Sequence, residues 1–346
     1  MKKVLLSLLA VLILAVVSLS AYEWYRDNRL PNITGNTSFQ VYPDTTPEDV
    51  VAILADRKVV KDPVRLAMVF KVKRVDQYIK PGNYFVNSGN SSAYVARMLN
   101  NGWQSPVNLT LSGTMRRTSD IARRIGRQML ADSTSVQDCL QDSAFIDSLG
   151  YSQATILSLF IPDTYQMYWT ASPKQIIGRL KKENDAFWTE ENLKKAEDIG
   201  LSRMQVSVLA SIVTAESTYA PEMPKIAGVY LNRLKAGMLL QADPTVAFCF
   251  DYEPQRILTK HLEVDSPYNT YRYAGLPPGP ICVPSKESLL AVLNPDCKDG
   301  YLYFCANPDF SGTHLFSRTL SGHNANARAF QAELNRRHRA KKNSAK

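Results

Sequence analysis

An uninterrupted apolar run near the N-terminus constrains this chain more than any other feature. It covers residues 4–21, and its only polar members are three serines, Ser7, Ser18 and Ser20. These eighteen residues would rise about 27 Å as an α-helix, which is close to the thickness of a bilayer's hydrocarbon core. Three aromatic residues follow where an interfacial belt would lie, namely Tyr22, Trp24 and Tyr25. The run therefore predicts a transmembrane anchor.

A cleaved signal peptide is the alternative, because Ser18 and Ser20 could stand as small residues before a cleavage site. The run is longer than the usual core of a signal peptide and has an aromatic flank, and both features favour a retained anchor. Two lysines before the run are nearly balanced by two arginines after it, so flanking charge supports the orientation only weakly. We predict a single-pass protein of the cytoplasmic (inner) membrane whose remaining chain is extracytoplasmic, or periplasmic.

The rest of the composition is that of a globular protein. Of 346 residues, 45% are hydrophobic and 21% are charged, which excludes a disordered tail, a collagen-like fibre, a multi-span channel and a disulfide miniprotein. The five cysteines have neither zinc-finger spacing nor a CxxC pair, so no metal site is predicted. Four of them lie between residues 249 and 305, where one or two local disulfides or buried free thiols are both open.

Turn signals and helix starts divide the chain into five segments, and the predicted fold class is α+β. The segments are an anchor over 1–25, a linker over 26–37, a small α+β module over 38–104, a mixed α+β domain over 105–335 and a basic tail over 336–346. In the module, Thr46, Pro47 and Asp49 have the pattern of a helix start with a capping box. A second helix is predicted over 63–72.

The most regular helical pattern covers residues 203–217 and places a carboxylate on an apolar face. Leu209, Ile212 and Val213 occupy positions i, i+3 and i+4, and Glu216 follows at i+7. Because burying an unpaired carboxylate is costly, Glu216 either has a cationic partner or has a raised pKa, as a general acid needs. The alternative is a glutamate near a helix end that turns to solvent or caps a neighbouring amide.

Polar side chains that suit the hydroxyl and acetamido groups of a sugar follow Glu216. The candidate substrate-binding residues are Asn232, Arg233, Gln241, Asp243, Thr245, Asn269, Thr270 and Tyr271. A run of glycine and proline over 275–280 then predicts either a rigid wall of the site or a simple connector.

Long, ordered motifs in this region closely resemble the endolytic murein transglycosylases, the family that terminates peptidoglycan chains. The motifs cover 210–217 (ASIVTAES), 229–234 (VYLNRL), 237–246 (GMLLQADPTV), 268–271 (YNTY), 275–279 (GLPPG) and 301–304 (YLYF). Further matches at 115–120 and 161–165 extend the resemblance over nearly the whole chain. It implies one N-terminal anchor, a small LysM-like α+β subdomain and a mixed α+β catalytic domain that faces the cell wall.

The resemblance also implies a site and a chemistry. Glu216 matches the single catalytic glutamate of the family, and positions expected around the glycan groove correspond to Gln241, Asp243, Asn269 and Tyr271. The chain departs from the family at Thr214, where an acidic residue is expected. The implied reaction cleaves the bond between N-acetylmuramic acid and N-acetylglucosamine inside a strand and leaves a 1,6-anhydro end. It needs no metal and no cofactor, and the implied partners are peptidoglycan strands, glycosyltransferases and penicillin-binding proteins.

Three other functions are open. A hydrolase of the same bond would use Asp243 or Glu222 as a second carboxylate, and a non-catalytic wall-binding scaffold would use the small module alone. An exported serine hydrolase would use His314 or His323, but the chain has no GxSxG motif. The formal charge of +9 fits an anionic wall polymer or lipid. Nucleic acid is not a predicted partner, because the basic residues are dispersed.

Overall fold

The computed structural model describes residues 2–254 and 256–344, and it divides into two compact units. Unit 1 contains residues 1–109, 128–131 and 166–172, and unit 2 contains 110–127, 132–165 and 173–346. Met1 of the predicted anchor and Lys346 of the predicted basic tail lie outside the described residues. The helices and short two-stranded sheets make the protein a mixed α+β structure.

The N-terminal helix α1 (Lys2–Arg29) is long and apolar enough to cross a membrane, by its length and composition. None of its residues is buried within the protein. The helix continues four residues beyond position 25, where the anchor was predicted to end. The charged residues in its last turns explain the extension, because Asp27 pairs with Arg65 of the following fold.

Unit 1 forms its own core after α1. Its elements are β1 (Thr37–Val41), α2 (Pro47–Asp56), α3 (Pro63–Val72), α4 (Val75–Tyr78), β2 (Gly82–Val86) and α5 (Ser92–Asn101). The strands β1 and β2 pair antiparallel, with Phe39 opposite Tyr84 and both side chains in the core. The predicted capping box is confirmed, since the Thr46 hydroxyl accepts the N–H of Asp49 (3.2 Å) and the Asp49 carboxylate accepts the N–H of Thr46 (2.8 Å).

Unit 2 is mainly helical. Its helices are α6 (Thr118–Gly126), α7 (Ser133–Gln141), α8 (Ser143–Ser148), α9 (Pro173–Phe187), α10 (Glu190–Asp198), α11 (Arg203–Glu216), α12 (Met223–Lys235), α13 (Asp243–Cys249), α14 (Lys286–Leu293) and α15 (Leu320–Ser344). The strands β3 (Val107–Thr110) and β4 (Thr164–Met167) lie where the chain passes between units, and β5 (Tyr303–Ala306) pairs antiparallel with β6 (His314–Ser317). Helices α11, α12 and α14 supply much of the core.

The structure adds detail at two places that the sequence left open. The predicted basic tail is helical as far as residue 344, because α15 continues through it. All five cysteines are free thiols, so the local disulfides considered for residues 249–305 are not formed. Burial raises the pKa of the Cys282 thiol to about 12, which keeps it protonated and chemically inert.

Candidate active site

Helix α11 presents Glu216 at the edge of the core. Ser202 caps the helix by accepting the N–H of Gln205 (3.3 Å), and the Gln205 side chain accepts the N–H of Ser202 in return (2.8 Å). The helix ends at Glu216 because Ser217 adopts an extended backbone. Leu209, Ile212 and Val213 are buried, as their spacing predicts. The carboxylate on the same face therefore lies where the apolar packing stops.

The Glu216 side chain lines a cleft of about 450 Å³ in unit 2. Its lining combines acidic, amide, aromatic and histidine side chains: Glu216, Tyr230, Arg233, Leu240, Gln241, Asp243, Tyr271, Phe304, Cys305, Ala306, His314 and His323. The residues come from α11, α12, the start of α13, the hairpin of β5 and β6, and α15, and from the loop segments that carry Leu240, Gln241 and Tyr271. Such a mixture of aromatic faces and polar groups suits a carbohydrate.

The Glu216 carboxyl group is protonated over a wider pH range than an ordinary glutamate. Its pKa is raised to about 7, chiefly by burial and in smaller part by the nearby charge of Asp243. Tyr230 opposes this shift by donating a hydrogen bond to Glu216 Oε1 (2.6 Å). A pKa near neutrality lets one carboxyl group both donate and accept a proton at physiological pH.

Asp243 and Tyr271 form a second polar pair in the cleft. The Tyr271 hydroxyl donates to Asp243 Oδ1 (2.6 Å), and the Asp243 side chain is solvent-exposed. Burial and this hydrogen bond to Asp243 raise the pKa of Tyr271. The pair therefore keeps one negative charge in the cleft, beside the protonatable Glu216.

Arg233 is buried in the cleft wall and holds the backbone around it. Its Nε donates to the Leu302 carbonyl (2.6 Å), and its Nη1 donates to the Leu240 carbonyl (2.8 Å) and to Gln241 Oε1 (3.3 Å). Its guanidinium also lies over the Tyr303 ring, 5.1 Å from the centroid. These contacts join α12 to β5 and to the segment that carries Gln241.

The other predicted substrate-binding residues are not among those lining the cleft. Asn232 donates to the Tyr301 carbonyl (3.0 Å), and the buried Asn269 donates to the Leu262 and Val264 carbonyls (2.9 and 2.8 Å). Thr245 and Thr270 are buried against each other, with their hydroxyl oxygens 2.8 Å apart. Their contacts hold the segment before Tyr271 against the start of α13.

Sequence reasoning missed Tyr230 as a functional residue, although this tyrosine lies on the buried apolar face of α12. A tyrosine on such a face needs a partner for its hydroxyl, and this requirement was the available signal. The aromatic ring of Phe304 was also missed, and it packs edge-on against Tyr230 with ring centroids 5.8 Å apart.

His314 lines the cleft in a fixed orientation. Its Nδ1 lies 2.8 Å from Glu222 Oε2, and its backbone N–H donates to Glu222 Oε1 (2.9 Å). The Glu222 carboxylate therefore binds His314, and Glu222 does not line the cleft. His323 also lines it and stacks on Tyr303, with ring centroids 5.5 Å apart. Among the described residues that line the cleft there is no serine.

Thr214, where an acidic residue was expected, has a structural role. Its hydroxyl contacts the Ser288 hydroxyl (2.6 Å) and accepts the backbone N–H of Ser285 (3.0 Å), so it connects α11 to the start of α14. The run of glycine and proline over 275–280 does not line the cleft either. It packs closely, because a Cβ added at Gly279 would lie 1.9 Å from the carbonyl oxygen of Ala154.

Comparisons with known proteins agree with the motifs. A model of the YceG-like family matches residues 39–329. The endolytic murein transglycosylase of Bacillus subtilis (strain 168) is 40% identical over 145 residues, which are 42% of this chain and 39% of that protein. A protein of the same name from Streptococcus pneumoniae serotype 2 is 24% identical over 323 residues, covering 83% of this chain and 57% of the relative. The chain thus spans less than two thirds of either relative's length.

A solved structure extends the comparison to the fold. It is a crystal structure of a yceG-like protein from Listeria monocytogenes, with 29% sequence identity and a TM-score of 0.56. The match covers 84% of this chain and 98% of that chain.

Proposed function

The chain belongs to the YceG-like family, and from that membership we propose that it is an endolytic lytic transglycosylase of peptidoglycan. The substrate is the β-1,4 bond between N-acetylmuramic acid and N-acetylglucosamine within a glycan strand. The products are a free N-acetylglucosamine end and a 1,6-anhydro-N-acetylmuramic acid end. The observation that carries this proposal is the buried carboxyl group of Glu216 in the cleft, whose pKa of about 7 suits both steps of the reaction.

Glu216 acts first as an acid and then as a base. Because Tyr230 binds Oε1, Oε2 is the oxygen that carries the proton. This proton passes to the glycosidic oxygen as the bond to the anomeric carbon breaks. The resulting carboxylate removes the proton of the sugar's own 6-hydroxyl, and that oxygen bonds to the anomeric carbon. No water is consumed, and Glu216 ends the cycle protonated.

The remaining cleft residues bind the strand and favour its transition state. The negative charge of Asp243 favours an oxocarbenium-like transition state, whose sugar ring carries positive charge. Gln241 and Tyr271 supply hydrogen-bonding groups for the sugars. Arg233, Asn232, Thr245, Asn269 and Thr270 support the cleft through their contacts with its backbone.

The cellular role follows from the same proposal. α1 anchors the protein in the cytoplasmic membrane by a single pass, and unit 2 works on the extracytoplasmic side, where strands are polymerised. There the enzyme terminates nascent strands, next to glycosyltransferases and penicillin-binding proteins. The folded part of unit 1 serves as the LysM-like wall-binding subdomain, and its separate hydrophobic core supports this role.

The test compares the full chain with its Glu216→Gln variant on purified sacculi, with the released fragments weighed by mass spectrometry. We expect anhydro ends from the parent and at least a hundredfold loss, on the order expected for an acid–base residue, from the variant. Glu253→Gln is the matched control, because Glu253 is exposed and outside the cleft. Absence of release by the parent would instead favour the wall-binding scaffold.

A hydrolase is the second candidate, because Asp243 is a carboxylate in the same cleft. In a hydrolase Asp243 would activate water, so the released ends would be reducing and Asp243→Asn would abolish release. In the transglycosylase, Asp243→Asn retains anhydro products. It also lowers the pKa of Glu216, since the charge of Asp243 raises that pKa. The end chemistry and the variant together separate the two reactions.

A further inference from the structure

Helix α3 in unit 1 has an apolar stripe on its solvent side. Val64, Met68 and Val72 follow one another at intervals of four residues, which places them on one face of the helix. Their exposed fractions are 69%, 56% and 78%. Single exposed apolar residues are common, but a continuous stripe indicates a surface that is covered in use.

A groove beside the stripe widens this apolar surface. It lies between α2 and α3, has a volume of about 580 Å³ and includes Val51, Met68 and Phe70. Lys71 and Arg74 also line it, together with Glu48, Asp76 and Gln77. The surface therefore combines apolar side chains with charged groups.

The position of α3 relative to α1 indicates what covers the stripe. Arg65, in the first turns of α3, donates from Nε and Nη2 to the Asp27 carboxylate (2.5 and 2.6 Å) and also pairs with Glu23. Glu23 lies within the aromatic belt of α1, beside Tyr22 and Trp24. Because such aromatic residues lie at the headgroup level of a bilayer, Arg65 is held at that depth.

Charge around α3 matches an anionic surface. Residues 57–74 contain seven cations and one carboxylate, namely Arg57, Lys58, Lys61, Arg65, Lys71, Lys73 and Arg74 against Asp62. Of these seven residues, only Arg65 forms ion pairs with the acidic groups of α1. Basic side chains next to a membrane span attract anionic lipids, and an apolar stripe with basic flanks is typical of interfacial helices.

We propose that α3 docks on the outer surface of the same bilayer that holds α1, with anionic phospholipids as its partner. Val64, Met68 and Val72 lie among the headgroups, and Lys71 and Lys73 contact phosphate groups. The pairing of Arg65 with Asp27 fixes the angle between α1 and α3. This inference rests on the proposed membrane anchoring of α1, and it adds a second contact between the protein and the membrane.

The test uses the full chain in lipid nanodiscs whose acyl chains are brominated near the headgroup, which quenches nearby tryptophan fluorescence. The probe is Met68→Trp in a Trp24→Phe background, and the background protein alone gives the signal of the other tryptophans. Phe85→Trp is the matched control, because Phe85 is an exposed aromatic residue on the strand face away from the core. Discs of phosphatidylcholine are compared with discs that also contain phosphatidylglycerol.

We expect Met68→Trp to be quenched several-fold more than Phe85→Trp in the anionic discs, and less in discs of phosphatidylcholine alone. Lys71→Gln with Lys73→Gln reduces this quenching, whereas Lys194→Gln with Lys298→Gln in unit 2 does not. Equal quenching of the two probes would overturn the docking while leaving the anchor intact. The docking would also be overturned if the emission wavelength of the Met68→Trp probe shifted with the number of protein copies per disc. Such a dependence indicates that a second chain covers the stripe. Failure of the protein to co-elute with discs would overturn the anchor and the docking together.

Discussion

At the scale of single residues, the proposed chemistry depends on opposing influences on the carboxyl group of Glu216. Burial and the charge of Asp243 raise the pKa of Glu216, and the Tyr230 hydroxyl lowers it. The balance is a pKa of about 7, at which the acid and the carboxylate are both populated near neutrality. In the proposed reaction, Tyr230 therefore positions the Glu216 carboxyl group and adjusts its working pH.

Tyr230→Phe tests this balance. The variant loses the hydrogen bond that favours the carboxylate, so the pKa of Glu216 rises. A hydrogen bond to a charged group contributes about 1.5–3 kcal/mol, which corresponds to a rise of roughly one to two pKa units. We expect the pH profile for release of anhydro ends to shift upward by that amount. Tyr165→Phe is the control, because the Tyr165 hydroxyl donates to the Ile161 carbonyl and does not line the cleft; a common shift in both variants would contradict the prediction.

Glu216→Gln tests how far the buried carboxylate of Glu216 lowers the stability of the folded protein. The folded-state pKa of about 7 exceeds the ordinary value of 4.5, so the folded state holds the proton more tightly than the unfolded state. The stabilisation from that proton is complete below about pH 4.5 and is lost as the pH rises through 7. The inactive variant should thus be more stable than the parent at pH 8, but not at pH 4. Urea denaturation in detergent at both values measures this, and a pH-independent difference would contradict it.

At the scale of elements, close packing of α12 holds Tyr230 and Arg233 in the cleft wall. A Cβ added at Gly228 would lie 2.2 Å from the carbonyl oxygen of Asp296, so only glycine allows this approach. The backbone N–H of Asp296 in turn donates to the Pro224 carbonyl (2.9 Å). Pro224 and Gly228 lie one turn apart on α12, and both contact Asp296 in the segment before β5.

Gly228→Ala tests this contact. The added methyl group must displace backbone, and overpacking of this kind costs about 1–3 kcal/mol. We expect a lower melting temperature, together with reduced release of anhydro ends as Tyr230 moves. Gly178→Ala in α9 is the control, because a Cβ there meets open space. Alanine has less conformational freedom than glycine in the unfolded chain, so Gly178→Ala should stabilise the protein by about 0.5–1 kcal/mol. Equal destabilisation of the two variants would exclude the close contact as the cause.

At the scale of the whole molecule, the described part of each unit has a hydrophobic core of its own. The core of unit 1 contains Leu54 and Leu66, and the core of unit 2 contains Leu209 and Ile226. Neither core includes a residue of the other unit. A core mutation in one unit should therefore lower the local stability of that unit and leave the other unit unchanged.

Leu54→Ala tests this division. Leu54 is fully buried, and such a truncation costs about 2–5 kcal/mol. We expect faster amide hydrogen exchange in α2, α3 and α5, with α11 and α12 unchanged. Leu209→Ala is the matched variant of unit 2 and should produce the converse pattern. Faster exchange in both units from either variant would contradict two separate cores.

The local sequence determined the elements and the central carboxylate. The capping pattern at Thr46, the helix over 63–72 and the buried face of α11 depend on residues only a few positions apart, so they could be predicted. Periodicity also placed Glu216 at the edge of the core, and its burial explains the raised pKa. These properties follow from backbone hydrogen bonding and apolar spacing, which act over one or two helical turns.

Only the tertiary structure decided which side chains meet around Glu216. Tyr230 is the hydrogen-bond partner, and Glu222 binds His314 across 92 residues of sequence. Asn269 and Thr270 have the polarity of ligand-binding groups, yet they hold backbone in place because the fold buries them. Polarity alone cannot separate these roles, since a polar side chain binds whichever group the packing of distant segments brings to it.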